Sequence, residues 1–223
     1  MTESSRGPRV LLLNGAFGVG KTTVARLLVR RLPGSGIFDP ERLGFVLRHL
    51  PRRLPGSTRH LADYQDSATW RRKTAQLIGW AARLYQPVIV PMCFRRIEYL
   101  SEIRRHLERR RLSHRHLCLV APERTVISRL LLRRVDPLSA AGEWVFPRAL
   151  DACRQHRRTE FATTIDTDDR APADIAAEIA WRLAEPAAHS TGVGRSLSPS
   201  SSRPSSSIAA SKGVGSPPGS TTG

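Results

Sequence analysis

The sequence predicts an α/β fold, a five-stranded parallel sheet with flanking helices, and three observations carry that expectation. Short unbroken apolar runs at 10–13, 88–90 and 116–120 have the composition of strands buried on both faces. Between them, apolar residues recur at helical spacing. The first run leads directly into a glycine-rich turn, and the turn into a helix, which is the local order of a phosphate-binding loop.

That first unit is Val10-Leu11-Leu12-Leu13, then Gly15-Ala16-Phe17-Gly18-Val19-Gly20-Lys21-Thr22, then a helix over 22–31 with Val24, Leu27 and Leu28 on one face. The turn fits G-x-x-x-x-G-K-[ST] at every fixed position. Chance supplies this pattern in about one chain in a hundred of this length, before the strand and helix are required. Glycines let successive backbone N–H groups curl inward onto phosphate oxygens, and the helix N-terminus adds its dipole. Gly15, Ala16, Phe17, Gly18, Val19, Gly20, Lys21, Thr22 and Thr23 are therefore the candidate nucleotide-binding residues, on the fold of P-loop NTPases. Lys21 brings a full charge to the β/γ-phosphates of ATP, and the Thr22 hydroxyl is a candidate ligand of Mg²⁺.

Pro33-Gly34 stops the helix, and Ile37-Phe38-Asp39 reads as a short second strand. Asp39 has two roles open to it. It is placed to cap the next helix, with Pro40 first, Glu41 in the first turn and Leu43, Val46, Leu47 and Leu50 turned inward. At the carboxyl end of a strand beside the phosphate loop it also faces the ligand crevice. There it is a candidate catalytic base, or a metal ligand acting through water.

A Pro/Gly/Arg loop at 51–60 precedes a helix over 68–85, with Trp70, Thr74, Leu77, Ile78, Ala81 and Leu84 on its inner face. Asp63, Asp66 and Arg71 stand at its mouth, where a cap and solvated charges are as good a reading as substrate contact. The strand at 88–90 ends in Pro91-Met92-Cys93 with no carboxylate, which moves metal work to Asp39. A helix over 97–111 carries Leu100, Ile103 and Leu107, and its arginine run reads as a solvated face.

After the strand at 116–120, Pro122-Glu123 opens a helix with Val126, Ile127, Leu130 and Leu131 inside. Arg129 and Arg133 stand four residues apart on it, a spacing that suits charge developing on a transferring phosphate. Both are candidate catalytic residues, and the poorly patterned stretch 135–147 after them reads as a lid. A helix over 150–161, a last strand at 162–166 and a helix carrying Ile175, Ile179 and Leu183 complete the order. Asp166-Thr167 is a candidate border for a nucleotide base.

At 223 residues the chain has room for one such domain, expected over 9–185 after a loose leader at 1–8. The Ser/Pro/Gly-rich segment 186–223 cannot bury enough apolar surface to offset its ordering entropy, and it reads as a disordered tail. With Lys+Arg 36 against Asp+Glu 19 the net charge is +17, almost all of it from arginine. Such a surface attracts polyanions in general, yet the chain has no RNA- or DNA-binding signature. Three cysteines without CxxC spacing imply neither a zinc site nor a disulfide framework, and no apolar run approaches a membrane span. A cytoplasmic protein is expected.

The ordered pieces Asn14–Thr22, Phe38-Asp39-Pro40-Glu41-Arg42-Leu43-Gly44-Phe45, Trp70-Arg71, Ile89-Val90-Pro91-Met92, Arg129-Leu130 with Arg133, Asp151 with Cys153, and Asp166-Thr167-Asp168 resemble the bacterial tunicamycin-resistance ATP-binding proteins. The resemblance implies an adenylate-kinase-like fold, ATP use and protection against a uridine-containing antibiotic. It also implies kinship with small-molecule phosphotransferases acting on hydroxyls, although drug sequestration without chemistry is open as well. In that family the C-terminal part is expected to touch membrane peripherally, and here the Ser/Pro-rich tail departs from the pattern.

Overall fold

The computed structural model describes residues 7–185 except 50, 52, 54–57, 59, 60, 62 and 162, all within one unit, Met1–Ala187. Most of the leader, the whole 186–223 tail, Leu50 and most of the 51–60 loop therefore lie outside the described residues. The strands are β1 (Val10–Gly15), β2 (Gly36–Ile37), β3 (Val88–Met92), β4 (His114–Val120) and β5 (Thr164–Asp166). They pair in parallel in the order β2-β3-β1-β4-β5. β1 is thus central, which is why its six residues are all buried.

Alternation along β1 divides the core. Leu11 and Leu13 face one cluster with Val24, Leu28, Val126, Ala149, Ile175 and Ile179. Val10 and Leu12 face another with Trp70, Ile78, Leu100, Ile103 and Met92. The helices follow from those faces: α1 (Lys21–Arg31), α5 (Glu123–Leu132), α6 (Ala140–Gln155) and α7 (Pro172–Ala184) contribute to the first cluster, and α3 (Ala68–Leu84) and α4 (Ile97–Arg109) to the second. α2 (Pro40–His49) starts beside the phosphate loop. No helix of the described residues is long and apolar enough to cross a membrane.

Some expectations need correction. α6 begins at Ala140, ten residues before the helix expected at 150, so most of the expected lid stretch is helix. Ser139 caps it through Gly142 N–H, and a Cβ on Gly142 would clash with the Asp136 carbonyl. Leu84 is exposed because the buried line of α3 runs Trp70, Thr74, Ala75, Ile78 and Ala82, and residue 84 has turned off it. Leu131 is exposed for the same reason, next to buried Val126 and Leu130, and Val46 also faces outward. The expected caps hold where they were local: Asp39 accepts from Glu41 N–H at 3.0 Å, and Asp63 from Gln65 N–H at 3.0 Å.

Candidate active site

The glycine loop bends where the sequence places its glycines. Gly18 has φ 84, and a Cβ there would sit 3.0 Å from Leu130 and 3.1 Å from the Val126 carbonyl, so α5 and the loop touch through it. Gly20 has φ 110 and caps α1, and the space where its Cβ would stand is open. That open ground is where an anion held at a helix N-terminus must come.

Around it lies a cavity of about 170 Å³. Gly18, Gly20, Lys21 and Thr22 supply one side, and Asp39, Glu41, Pro91 and Arg133 close the other. Lys21 is 8% exposed, and its Nζ donates to the Ala16 carbonyl at 2.9 Å and lies 5.5 Å above the Phe17 ring. Ala16 and Val19 are buried behind the loop, and Thr23 is exposed in the first turn of α1.

A buried network holds the loop from behind. The Asn14 Oδ1 accepts from Phe94 N–H at 2.8 Å, tying β1 to the segment after β3. His156, following α6, places Nε2 2.7 Å from the Phe94 carbonyl, which can only accept, so Nε2 carries the proton. Burial, reinforced by the Lys21 charge, lowers the pKa of His156 to about 4.

The structure separates the two arginines that sequence spacing had paired. Arg133 lines the cavity at the glycine loop. Arg129 donates to the Val19 carbonyl at 3.2 Å, to Thr167 Oγ1 at 3.0 Å and to the Thr167 carbonyl at 2.6 Å. It therefore clamps the loop to the end of β5, and it borders a separate cavity of about 490 Å³ with Thr125, Asp168 and Arg170. Asp166 is exposed and accepts from Asp168 N–H at 2.8 Å.

Glu41 is the residue whose weight the sequence reading missed. Its carboxylate accepts from the Cys93 backbone, and burial raises its pKa while Lys21 opposes the rise. The available signal was its spacing, two residues beyond Asp39 at the opening of a helix. Among the mouth residues, Asp63 is buried and paired with Arg95 at 2.7 Å, Arg71 pairs with Glu102, and Asp66 accepts from Tyr99 at 2.6 Å. Burial pushes the Cys93 thiol up to about 12, so it is inert packing.

A glycine loop between β1 and α1, with an acid that follows β2 and the arginine that caps α5 beside it, defines the class: a P-loop protein. Residues 10–169 match the model of the AAA domain family. The structure is similar to that of the Deinococcus radiodurans tunicamycin resistance protein, at 32% identity and a TM-score of 0.63, over 80% of this chain and 96% of that one. The chain belongs to the family of bacterial tunicamycin-resistance ATP-binding proteins, within the AAA-domain P-loop proteins. The fold is shared with shikimate kinase from Acinetobacter baumannii (16% identity, TM-score 0.55, 81% and 94% covered). It is shared also with the APS kinase CysC from Mycobacterium tuberculosis (14%, 0.56, 81% and 99%). No curated protein sequence matches the chain.

Proposed function

We propose that the chain is an ATP- and Mg²⁺-dependent phosphotransferase that acts on a hydroxyl of a nucleoside-like antibiotic such as tunicamycin. The observation that carries this reading is one cavity in which Lys21, Thr22, Asp39 and Arg133 face the open N-terminus of α1. Backbone amides from Gly15 to Thr23 hold the phosphates, and Lys21 leaves the Ala16 carbonyl for the transferring group. Mg²⁺ is commonly held by one or two protein oxygens together with phosphates, and the Thr22 hydroxyl and Asp39 carboxylate in this cavity fit that donor set. When bound, the ion neutralises charge on the phosphates.

In the transfer, the acceptor oxygen bonds to the γ-phosphorus, the bond from that phosphorus to the β,γ-bridging oxygen breaks, and ADP leaves with the electron pair. The hydroxyl proton passes to Asp39, a carboxylate that lines the cavity beside Lys21 and Thr22, and from there to solvent. Arg133 stabilises the charge on the transferring group. Arg129 serves the same end from a distance, by fixing the Val19 carbonyl and the β5 end against which the loop keeps its shape.

Mass spectrometry of tunicamycin after incubation with the chain, ATP and Mg²⁺ tests the reading. A phosphate adduct that disappears with Asp39→Asn is the expected result. Drug recovered unchanged although it binds in the presence of ATP would favour sequestration instead.

A further inference from the structure

The backbone register between β1 and β3 ends where the glycine loop begins, with Asn14 opposite Met92, and Gly15 pairs in register with β4 alone. The chain then leaves β3 as Cys93–Phe94, a dipeptide buried in both its residues. The N–H and carbonyl groups of a buried segment need partners. Here side chains from separate segments supply them. The Asn14 amide meets both groups of Phe94, accepting from its N–H at 2.8 Å and donating to its carbonyl at 3.3 Å. The same carbonyl accepts from His156 at 2.7 Å. The Cys93 carbonyl accepts from Gln65 Nε2 at 2.8 Å, and the Cys93 N–H donates to the Glu41 carboxylate.

These bonds run from one wall of the cavity at the glycine loop to the other. Asn14 directly precedes Gly15, and the loop that follows carries Lys21 and Thr22. Glu41 and Asp39 line the opposite wall. The Glu41 N–H donates to Asp39 Oδ1 at 3.0 Å, so Cys93 holds the side chain of Glu41 while the backbone of Glu41 holds the carboxylate of Asp39. A side-chain amide, with one acceptor and two donor hydrogens, stands in for the sheet ladder at the point where the ladder stops. Asn14 is 1% exposed, so it acts from behind the cavity rather than on a ligand.

We infer that Asn14 is a positioning residue for phosphoryl transfer: through the Cys93–Phe94 backbone and Glu41 it sets Asp39 against Lys21 and Thr22 across the cavity. The inference rests on the phosphotransfer reading and adds to it a residue outside the reacting groups. Alanine at 14 removes acceptor and donor together, which releases the far wall while the glycines keep their grip on phosphate. A displacement of about 1 Å between reacting groups costs up to roughly 10²-fold in rate. A role in stability alone would lower the melting temperature and leave that wall in place.

Two measurements on the full chain test this. In steady-state transfer from ATP to tunicamycin, Asn14→Ala is expected to lower kcat about ten-fold or more with the KM for ATP kept within about three-fold. Glu41→Ala breaks the same relay further along, so the double variant should be no slower than the slower single one. Hydrogen exchange read by mass spectrometry needs no acceptor. There Asn14→Ala should speed exchange at 93–94 and at 41–43, and leave 21–24 in the AMPPNP complex as slow as in the parent. AMPPNP binding reports that each variant is folded. Should Asn14→Ala fail to fold, Asn14→Asp, which keeps an acceptor for the Phe94 N–H, takes its place with the same expectations. The inference is overturned by a kcat within about two-fold of the parent, by a KM for ATP outside the stated range, by losses that multiply in the double variant, or by unchanged exchange at 41–43. Failure of the phosphotransfer reading looks different: the parent then leaves tunicamycin without phosphate, and exchange at 41–43 decides alone, faster in Asn14→Ala keeping the relay and equal removing it.

Discussion

His156 makes the stability of the phosphate loop depend on pH in a calculable way. It is 1% exposed, donates through Nε2 to the Phe94 carbonyl, and has a buried Nδ1 with no hydrogen-bond partner among the described residues. A second proton would be buried unpaired, which is why the pKa falls from 6.5 to about 4. The unfolded chain binds that proton first, so stability is full above 6.5 and declines as pH falls, the loss being complete near 4. Between pH 7 and pH 5 this one group costs about 2 kcal/mol. For a domain of this size that is roughly 4–8 °C in the melting temperature. His116, lowered to about 3 by burial, adds a loss of the same sign. The comparison to make is therefore parent against His156→Gln, each melted at pH 7 and pH 5, since Gln keeps a donor for Phe94 and cannot titrate. The parent should lose about 2 kcal/mol more than the variant over that interval. Equal losses in the two chains would refute a buried neutral imidazole behind the loop.

Other substitutions probe the front of the site. Gly20→Ala meets no atom but forces an L-residue to φ 110, so it should cost about 1–2 kcal/mol in a melt and place a methyl where phosphate must come, with ATP affinity in calorimetry falling at least ten-fold. Asp39→Asn should lower phosphate transfer by roughly 10²–10⁴-fold in a single-turnover assay while ATP still binds; an undiminished rate would remove Asp39 as the proton acceptor. Arg133→Ala should slow transfer with little change in the melt, whereas Arg129→Ala, which breaks three bonds to Val19 and Thr167, should lower the melting temperature as well.

What the sequence disclosed about this site was the part that is local. The order strand, glycine loop, helix and the Asp39 cap are contained within a few consecutive residues, and backbone chemistry fixes them wherever they fold. Glu41 was opaque because its surroundings, the Cys93 N–H, Lys21 and the cavity at the glycine loop, arrive from separate segments. Arg129 and Arg133 were found by spacing, but Arg133 is the cap residue of α5 and lines the cavity at the glycine loop, whereas Arg129 lines another and bonds to Val19 and Thr167. The first ten residues of α6 were missed because the stretch 135–147, with Gly142 and Trp144 in it, is poorly patterned and reads as a lid. Its N-terminus is secured instead by the Ser139 cap and by Asp136, which leaves no room for any side chain at 142.

The claim on which the rest depends is that the bend from Gly15 to Thr22 holds the phosphates of ATP. Calorimetric titration of the full chain with ATP and Mg²⁺ measures it directly. Saturable binding to one site, abolished by Lys21→Ala and retained in Trp181→Ala on the exposed face of α7, is the predicted result. A folded parent chain that takes up no ATP, or a Lys21→Ala chain that takes it up as well as the parent, would contradict the account.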